Sequence, residues 1–188
     1  MSSALNEVVS SDLEELILVN SQDENVGTRP KRECHLGQGE LHRAFSVFIF
    51  NAAGEVLLQQ RTAQKFLWPL YWSNACCSHP RAGEDSEDAA HRRLAQELGI
   101  SVPLTYLYKF EYHAQYQNIG SEHELCWVWI GFAEAKDISP NSNEVANWRF
   151  FSREELGNEL SQNPDTYTPW MKMEWERIFK DHQDLLNR

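Results

Sequence analysis

Three short stretches hold the residues whose types and spacing could do chemistry. In "NACCSHP" (74–80), Cys76 and Cys77 are adjacent and His79 follows two residues later. In "HLGQGELH", His35 and His42 stand seven apart around Gly37 and Gly39. In "EHE", Glu122 and Glu124 are two apart where an apolar run begins. Alternate residues on a strand share a face, so both carboxylates point one way and His123 the other. Three imidazoles and two carboxylates suit an octahedral divalent ion such as Mg, Mn or Zn. Five unrelated surface side chains are the plainer reading. The cysteines fit neither a strained vicinal disulfide nor structural zinc. Zinc pairs are spaced C-x2–4-C, and adjacent strand residues face opposite sides of a sheet.

Other residues suggest a ligand rather than a reaction. Arg93 and Glu97 are four apart on a helical stretch, which on spacing alone reads as a solvated ion pair. The chain has 17 Lys+Arg against 28 Asp+Glu, a net charge of −11. Such a surface repels nucleic acid and anionic membranes. Lys31, Arg32, Arg61, Lys65, Arg92 and Arg93 nonetheless flank the histidine and cysteine stretches. They form either a local cationic rim for a small anionic substrate or scattered solvated charges. Seven tryptophans, with Tyr112 among the other aromatics, supply either core or an aromatic pocket suited to an apolar or transiently cationic group.

The elements that must position these residues are legible in outline. Strands are expected at 15–20, 43–51, 104–114, 123–134 and 146–152, with a hairpin through 52–61. Residues 21–42 read as loop, and "FLWPLYWSNACC" as extended and half buried. The clearest helix is 86–100, with Ala90, Leu94 and Leu98 as its apolar stripe and Gly99 as its stop. "SREEL" opens a second helix with a capping box, and 168–186 forms a third with Pro169 in its first turn. About six strands interleaved with three helices predict a mixed sheet covered by helices. A flexible tail at 1–14 precedes a single domain at 15–188. The sequence has no run of eighteen apolar residues and no basic, apolar leader. With four cysteines, that predicts a reducing, cytoplasmic setting without a membrane partner. Oligomeric state is left open.

The helix resembles a worn Nudix box, G-x5-E-x7-R-E-U-x-E-E-x-G-U, where U is apolar. Glu84, Arg92, Leu94, Glu97, Gly99 and Ile100 match it. Ser78 replaces the Gly, and Arg93 and Gln96 replace two of the Glu residues. The flanking motifs resemble the type 1 isopentenyl-diphosphate Δ-isomerases. N-x-x-C-x-H-P is present as Asn74, Cys77, His79 and Pro80, and E-x-E-x-C as Glu122, Glu124 and Cys126. The spaced His pair and "TPWM" (168–171) extend the resemblance over about residues 15–180.

The resemblance implies an α/β (α+β) fold, a Nudix-like mixed β-sheet sandwich covered by helices. It implies an isomerase of isoprenoid biosynthesis that adds a proton to an alkene and removes another from the neighbouring carbon. Cys77 and Glu124 would be the proton-transfer pair, assisted by Tyr112. A divalent ion (Mn²⁺, Mg²⁺ or Zn²⁺) would sit on His35, His42, His79, Glu122 and Glu124. Glu97 and the Cys77 carbonyl would hold a Mg²⁺ arriving with the diphosphate. Lys31, Arg61, Lys65 and Arg93 would contact the diphosphate, and Trp170 would face the carbocation. Cys76 would only pack. The alternative is a Nudix pyrophosphohydrolase acting on a nucleotide-like diphosphate, against which Arg93 and Gln96 speak.

Overall fold

A computed structural model describes residues 8–185. In chain order the elements are β1 (Glu15–Val19), β2 (Asn25–Pro30), α1 (Lys31–Cys34), β3 (His42–Phe50), β4 (Val56–Arg61), β5 (Trp72–Asn74), β6 (Cys76–Ser78), α2 (Ser86–Leu98), β7 (Thr105–Tyr116), β8 (Gly120–Phe132), β9 (Val145–Phe151), α3 (Arg153–Gln162) and α4 (Pro169–Asp181).

The apolar run of β3 accounts for its place at the centre, since a strand rich in apolar residues throughout must be covered on both faces. One edge is taken along its length by β8 in parallel, from His42↔Glu124 to Phe50↔Phe132. The other edge is shared in turn by β1, β6 and β4, all antiparallel. β4 carries β5 and β9, β8 carries β7, and β1 carries β2, giving one mixed nine-stranded sheet.

Alternation along β3 then separates two cores. Phe45, Val47 and Ile49 pack under α2 with its Ala89, Ala90, Leu94 and Leu98. Ala44, Phe48 and Phe50 pack on the opposite face against Leu156 of α3 and Trp170, Met171, Trp175 and Ile178 of α4. The result is a sheet between two helical layers. The caps follow the sequence. Asp85 accepts from Glu87 N, Gly99 closes α2 at φ 69°, and Ser152 and Glu155 cap α3 reciprocally.

Several sequence expectations need correction. There are nine strands and four α-helices among the described residues, besides three short 3-10 turns, rather than about six strands and three helices. The 21–42 loop contains β2, an exposed edge strand whose order comes from pairing with β1, and the single turn α1. The extended stretch after Phe66 is interrupted. Trp68 and Leu70 take left-handed backbone at φ 47° and 64°, so the chain turns before β5 and β6 begin. The C-terminal helix ends at Asp181, and residue 186 lies outside the described residues, as do 1–7 of the expected tail. No helix among the described residues is long and apolar enough to cross a membrane.

Candidate active site

The parallel register sets His42 of β3 opposite Glu124 of β8, with Glu122 two residues back on the same face. β6 runs into His79 just beyond the Phe45↔Ser78 pair. His35 follows α1, and its carbonyl accepts from Ser121 N at 3.0 Å. That contact needs Gly120, where a Cβ would lie 2.2 Å from His35 O. All five side chains are less than a tenth exposed, and their ligand atoms lie within 4.8 Å of one another.

This donor set fits a divalent cation. His35 Nδ1 lies 2.6 Å from Lys31 O and His42 Nδ1 lies 2.7 Å from Glu40 O. Each Nδ1–H donates to its carbonyl, which leaves Nε2 facing the cluster. His42 Nε2 and His79 Nδ1 are buried without a hydrogen-bond partner. Burial, with His35 nearby, lowers His42 to about 3, and burial also holds His79 well below the ordinary imidazole range. Both rings are therefore neutral donors. Burial would raise Glu122, but His35, 2.8 Å away, outweighs it and keeps that carboxylate ionised.

Glu124 differs from its neighbour. Its Oε1 lies 2.9 Å from His79 Nε2, and its Oε2 accepts from Tyr112 Oη at 2.6 Å. Burial, and then the adjacent Glu122, push its carboxyl well up. A carboxyl whose hold on a proton is strengthened in a dry site is suited to proton transfer. Cys77 lies opposite Ser46 of β3 and packs against the α4 core, while Cys76 turns into the α2 core. Burial pushes the Cys77 thiol up to about 11, against the pull of Arg61. Cys77, Glu124 and Tyr112 line one cavity of about 310 Å³. Trp170 closes it, fixed by Nε1 donating to Ser73 Oγ at 3.1 Å and by a T-shaped contact with Trp68.

Five of the six cations expected at a rim gather at the same cavity, whereas Arg92 pairs with Glu84 instead. Lys31, Arg61, Lys65 and Arg93 all line it. Lys31 Nζ donates to Ser10 Oγ at 2.5 Å, and burial lowers its ammonium to about 8. Arg61 Nε and Nη2 donate to the carbonyls of Trp68 and Leu67, bracing the left-handed turn, and Nη1 lies 3.8 Å from Cys77 Sγ. Lys65 pairs with Glu144. Arg93 and Glu97 are not the solvated pair that their spacing suggests, for both are 2 % exposed. Glu97 Oε1 accepts from Arg93 Nε and Nη2, and its Oε2 accepts from Gln59. Glu97 is not among the residues lining the cavity.

Sequence reasoning missed three contributors. Glu144 lies in a polar loop with no periodicity to mark it. Ser73 is an ordinary strand serine that happens to touch Asn74, Cys77, Thr168 and Trp170. The third is the segment before β1, where Val9 O accepts from Arg93 Nη1 at 2.8 Å and Val8, Ser10 and Asp12 line the cavity. No motif points to these.

The NUDIX domain family matches residues 40–172. Isopentenyl-diphosphate Delta-isomerase 1 of Photorhabdus laumondii is 42% identical over 176 residues, covering 93% of this chain and 99% of that protein. The isopentenyl-diphosphate Delta-isomerase of Nocardia farcinica is 45% identical over 155 residues, covering 82% and 88%. Among solved structures, DR0079 from Deinococcus radiodurans aligns with a TM-score of 0.65 at 20% identity, over 80% of this chain and 90% of that one. That last likeness concerns the fold alone. The motifs, the register that gathers them and these relatives converge, and the chain belongs to the isopentenyl-diphosphate Δ-isomerase family of NUDIX-domain proteins.

Proposed function

We propose that the chain interconverts isopentenyl diphosphate and dimethylallyl diphosphate, with Cys77 and Glu124 as the proton-transfer pair. The observation that carries this reading is the shared cavity. A thiol and a carboxyl, both pushed upward by burial, line it together with an aromatic wall and five cations. One side chain adds a proton to the alkene and the other removes one from the neighbouring carbon, so no redox partner is needed. Tyr112 passes its proton toward Glu124 or holds the carboxyl in place. Trp170 presents a ring to the tertiary cation, a contact worth about 0.5–2 kcal/mol. Leu67 and Trp170 line the cavity and keep water away from that cation, with Trp68 packed against Trp170.

His35, His42, His79, Glu122 and Glu124 would hold Mn²⁺, Mg²⁺ or Zn²⁺. When bound, that ion supplies positive charge that orients Glu124 and adjusts its acidity. Lys31, Arg61, Lys65 and Arg93 take the diphosphate. Glu97, with the Cys77 carbonyl, would hold the Mg²⁺ that accompanies it, exchanging a contact to Arg93 or Gln59 to do so. The substrate is a small-molecule diphosphate. Hydrolysis of a nucleotide is the poorer reading, because the position of one box carboxylate is occupied by Arg93, tied to Glu97 and Glu144.

The test is proton NMR of the metal-loaded protein with isopentenyl diphosphate and Mg²⁺ in D₂O. Deuterium should enter the allylic product. The Cys77→Ala variant should lose turnover and keep diphosphate binding. Efficient phosphate release from nucleoside diphosphate derivatives, or turnover surviving that substitution, would overturn the reading.

A further inference from the structure

Glu144 is a buried anion placed among the cations of this cavity. It is 2 % exposed, pairs with Lys65 of the 62–71 turn, and accepts from Arg93 Nη2 of α2 at 3.4 Å. Its backbone is fixed from both sides, with Glu144 N donating to Asn141 O and Glu144 O accepting from Thr62 N. Asn141 N in turn donates to Glu97 O. A carboxylate there is costly for anion binding, since it repels any diphosphate that reaches Lys65 and Arg93. Arg93 already donates Nε and Nη2 to Glu97 Oε1, so its guanidinium does not require a second carboxylate.

We propose that Glu144 is a positioning and counter-charge residue, which holds Lys65 and Arg93 at their spacing and weakens their grip so that the diphosphate product can leave. The inference rests on the isomerase reading for its substrate. Arg93 spends Nε and Nη2 on Glu97 and Glu144, and one Nη1 hydrogen on Val9 O. A diphosphate that takes the Nη2 side of this guanidinium does so by exchange, and Glu144 is the competing anion. Substrate and product carry the same diphosphate, so one charge beside it sets the release of both.

The test titrates inorganic pyrophosphate with Mg²⁺ into the metal-loaded parent, Glu144→Gln and Glu144→Asp, with steady-state kinetics on isopentenyl diphosphate. Glu144→Gln keeps an acceptor oxygen and loses the charge, so pyrophosphate should bind about tenfold tighter. KM should fall, and kcat should fall as release slows. Glu144→Asp keeps the charge and should stay within about threefold of the parent. A merely structural role would not tighten binding. A folded Glu144→Gln with parental or weaker affinity overturns the proposal. Should that variant not fold, the Lys65→Met background serves, since it removes the cation that Glu144 faces. Adding Glu144→Gln there should recover part of the lost affinity, and no recovery overturns the proposal. A parent that binds pyrophosphate but turns over no substrate defeats the isomerase reading while leaving the charge comparison to be judged on its own.

Discussion

Tyr112 donates its phenolic hydrogen to Glu124 Oε2 at 2.6 Å, across the pair that joins β7 to β8. Glu124 is thus held at both oxygens, with His79 at the other. Burial raises the phenol well above its ordinary range, and the nearby carboxylates add to that. It is therefore a standing donor throughout the working pH range. Tyr112→Phe removes the hydrogen bond at Oε2 that favours ionised Glu124 and leaves the carboxyl held at Oε1 alone. The expected result is a kcat lowered about 10²-fold, the scale of a lost proton-transfer partner. KM and metal content should remain near parental values. Steady-state kinetics with elemental analysis checks this, and a kcat within a factor of two would remove Tyr112 from the chemistry.

The backbone approach at Gly120 predicts a loss of metal without loss of a ligand. A methyl group there would lie 2.2 Å from His35 O, a distance that requires the 35–41 loop to move away from β8. His35 moves with its backbone, and its Nε2 leaves the cluster. Gly120→Ala is expected to weaken metal affinity about 10–100-fold, as outer contacts that orient ligands do. Titration of the metal-stripped protein with Mn²⁺ or Zn²⁺ measures it. An unchanged affinity would mean that the loop is not held by this contact.

Particular residues explain how far the sequence could be read. The nine-residue run of β3, the period-two spacing of Glu122 and Glu124, and the stripe of α2 are local patterns, and each appears in the fold as expected. So does the opposite facing of Cys76 and Cys77, which follows from strand geometry alone. The failures belong to contacts distant in sequence. "NVGTRP" has almost no strand signal, and it becomes β2 because β1 offers an edge. Arg93 and Glu97 read as a surface pair until Glu144 and Val9 are seen against them. Glu144 sits between asparagines and a strand, with nothing nearby to mark it as a partner of residues 51 and 79 positions away.

The burial of Arg93 makes a further stability prediction. Its guanidinium answers two carboxylates that have almost no access to water. Arg93→Met leaves both without their shared partner, and removing one member of a buried ion pair costs about 3–5 kcal/mol. The exposed Arg177–Asp181 pair, at 3.7 Å, offers the control. Arg177 also stacks on the Tyr108 ring at 3.8 Å, so Arg177→Met should change stability by no more than about 1.5 kcal/mol. Urea unfolding of both variants tests the contrast. Equal effects would mean that Glu97 and Glu144 find other partners once Arg93 is gone.

Glu174 of α4 gives a pH prediction of defined sign. It is fully buried, its Oε1 lies 3.5 Å from Cys126 Sγ, and its Oε2 has no hydrogen-bond partner. Burial pushes its carboxyl up to about 8, from an ordinary value of 4.5. Between those values the folded protein keeps this proton and the unfolded chain releases it. The unfolded state binds fewer protons, so stability must fall as pH rises. The contribution is complete below the unfolded value and lost on passing the folded one, at no more than about 1.4 kcal/mol per pH unit. Glu174→Gln has no such proton to lose. Its stability from pH 5 to 8 should be flatter than the parent's by up to one proton, and the difference should favour the variant increasingly toward pH 8. Denaturant unfolding of parent and variant across that range measures the slope. Parallel profiles would show that Glu174 gains charge compensation from its surroundings as it ionises.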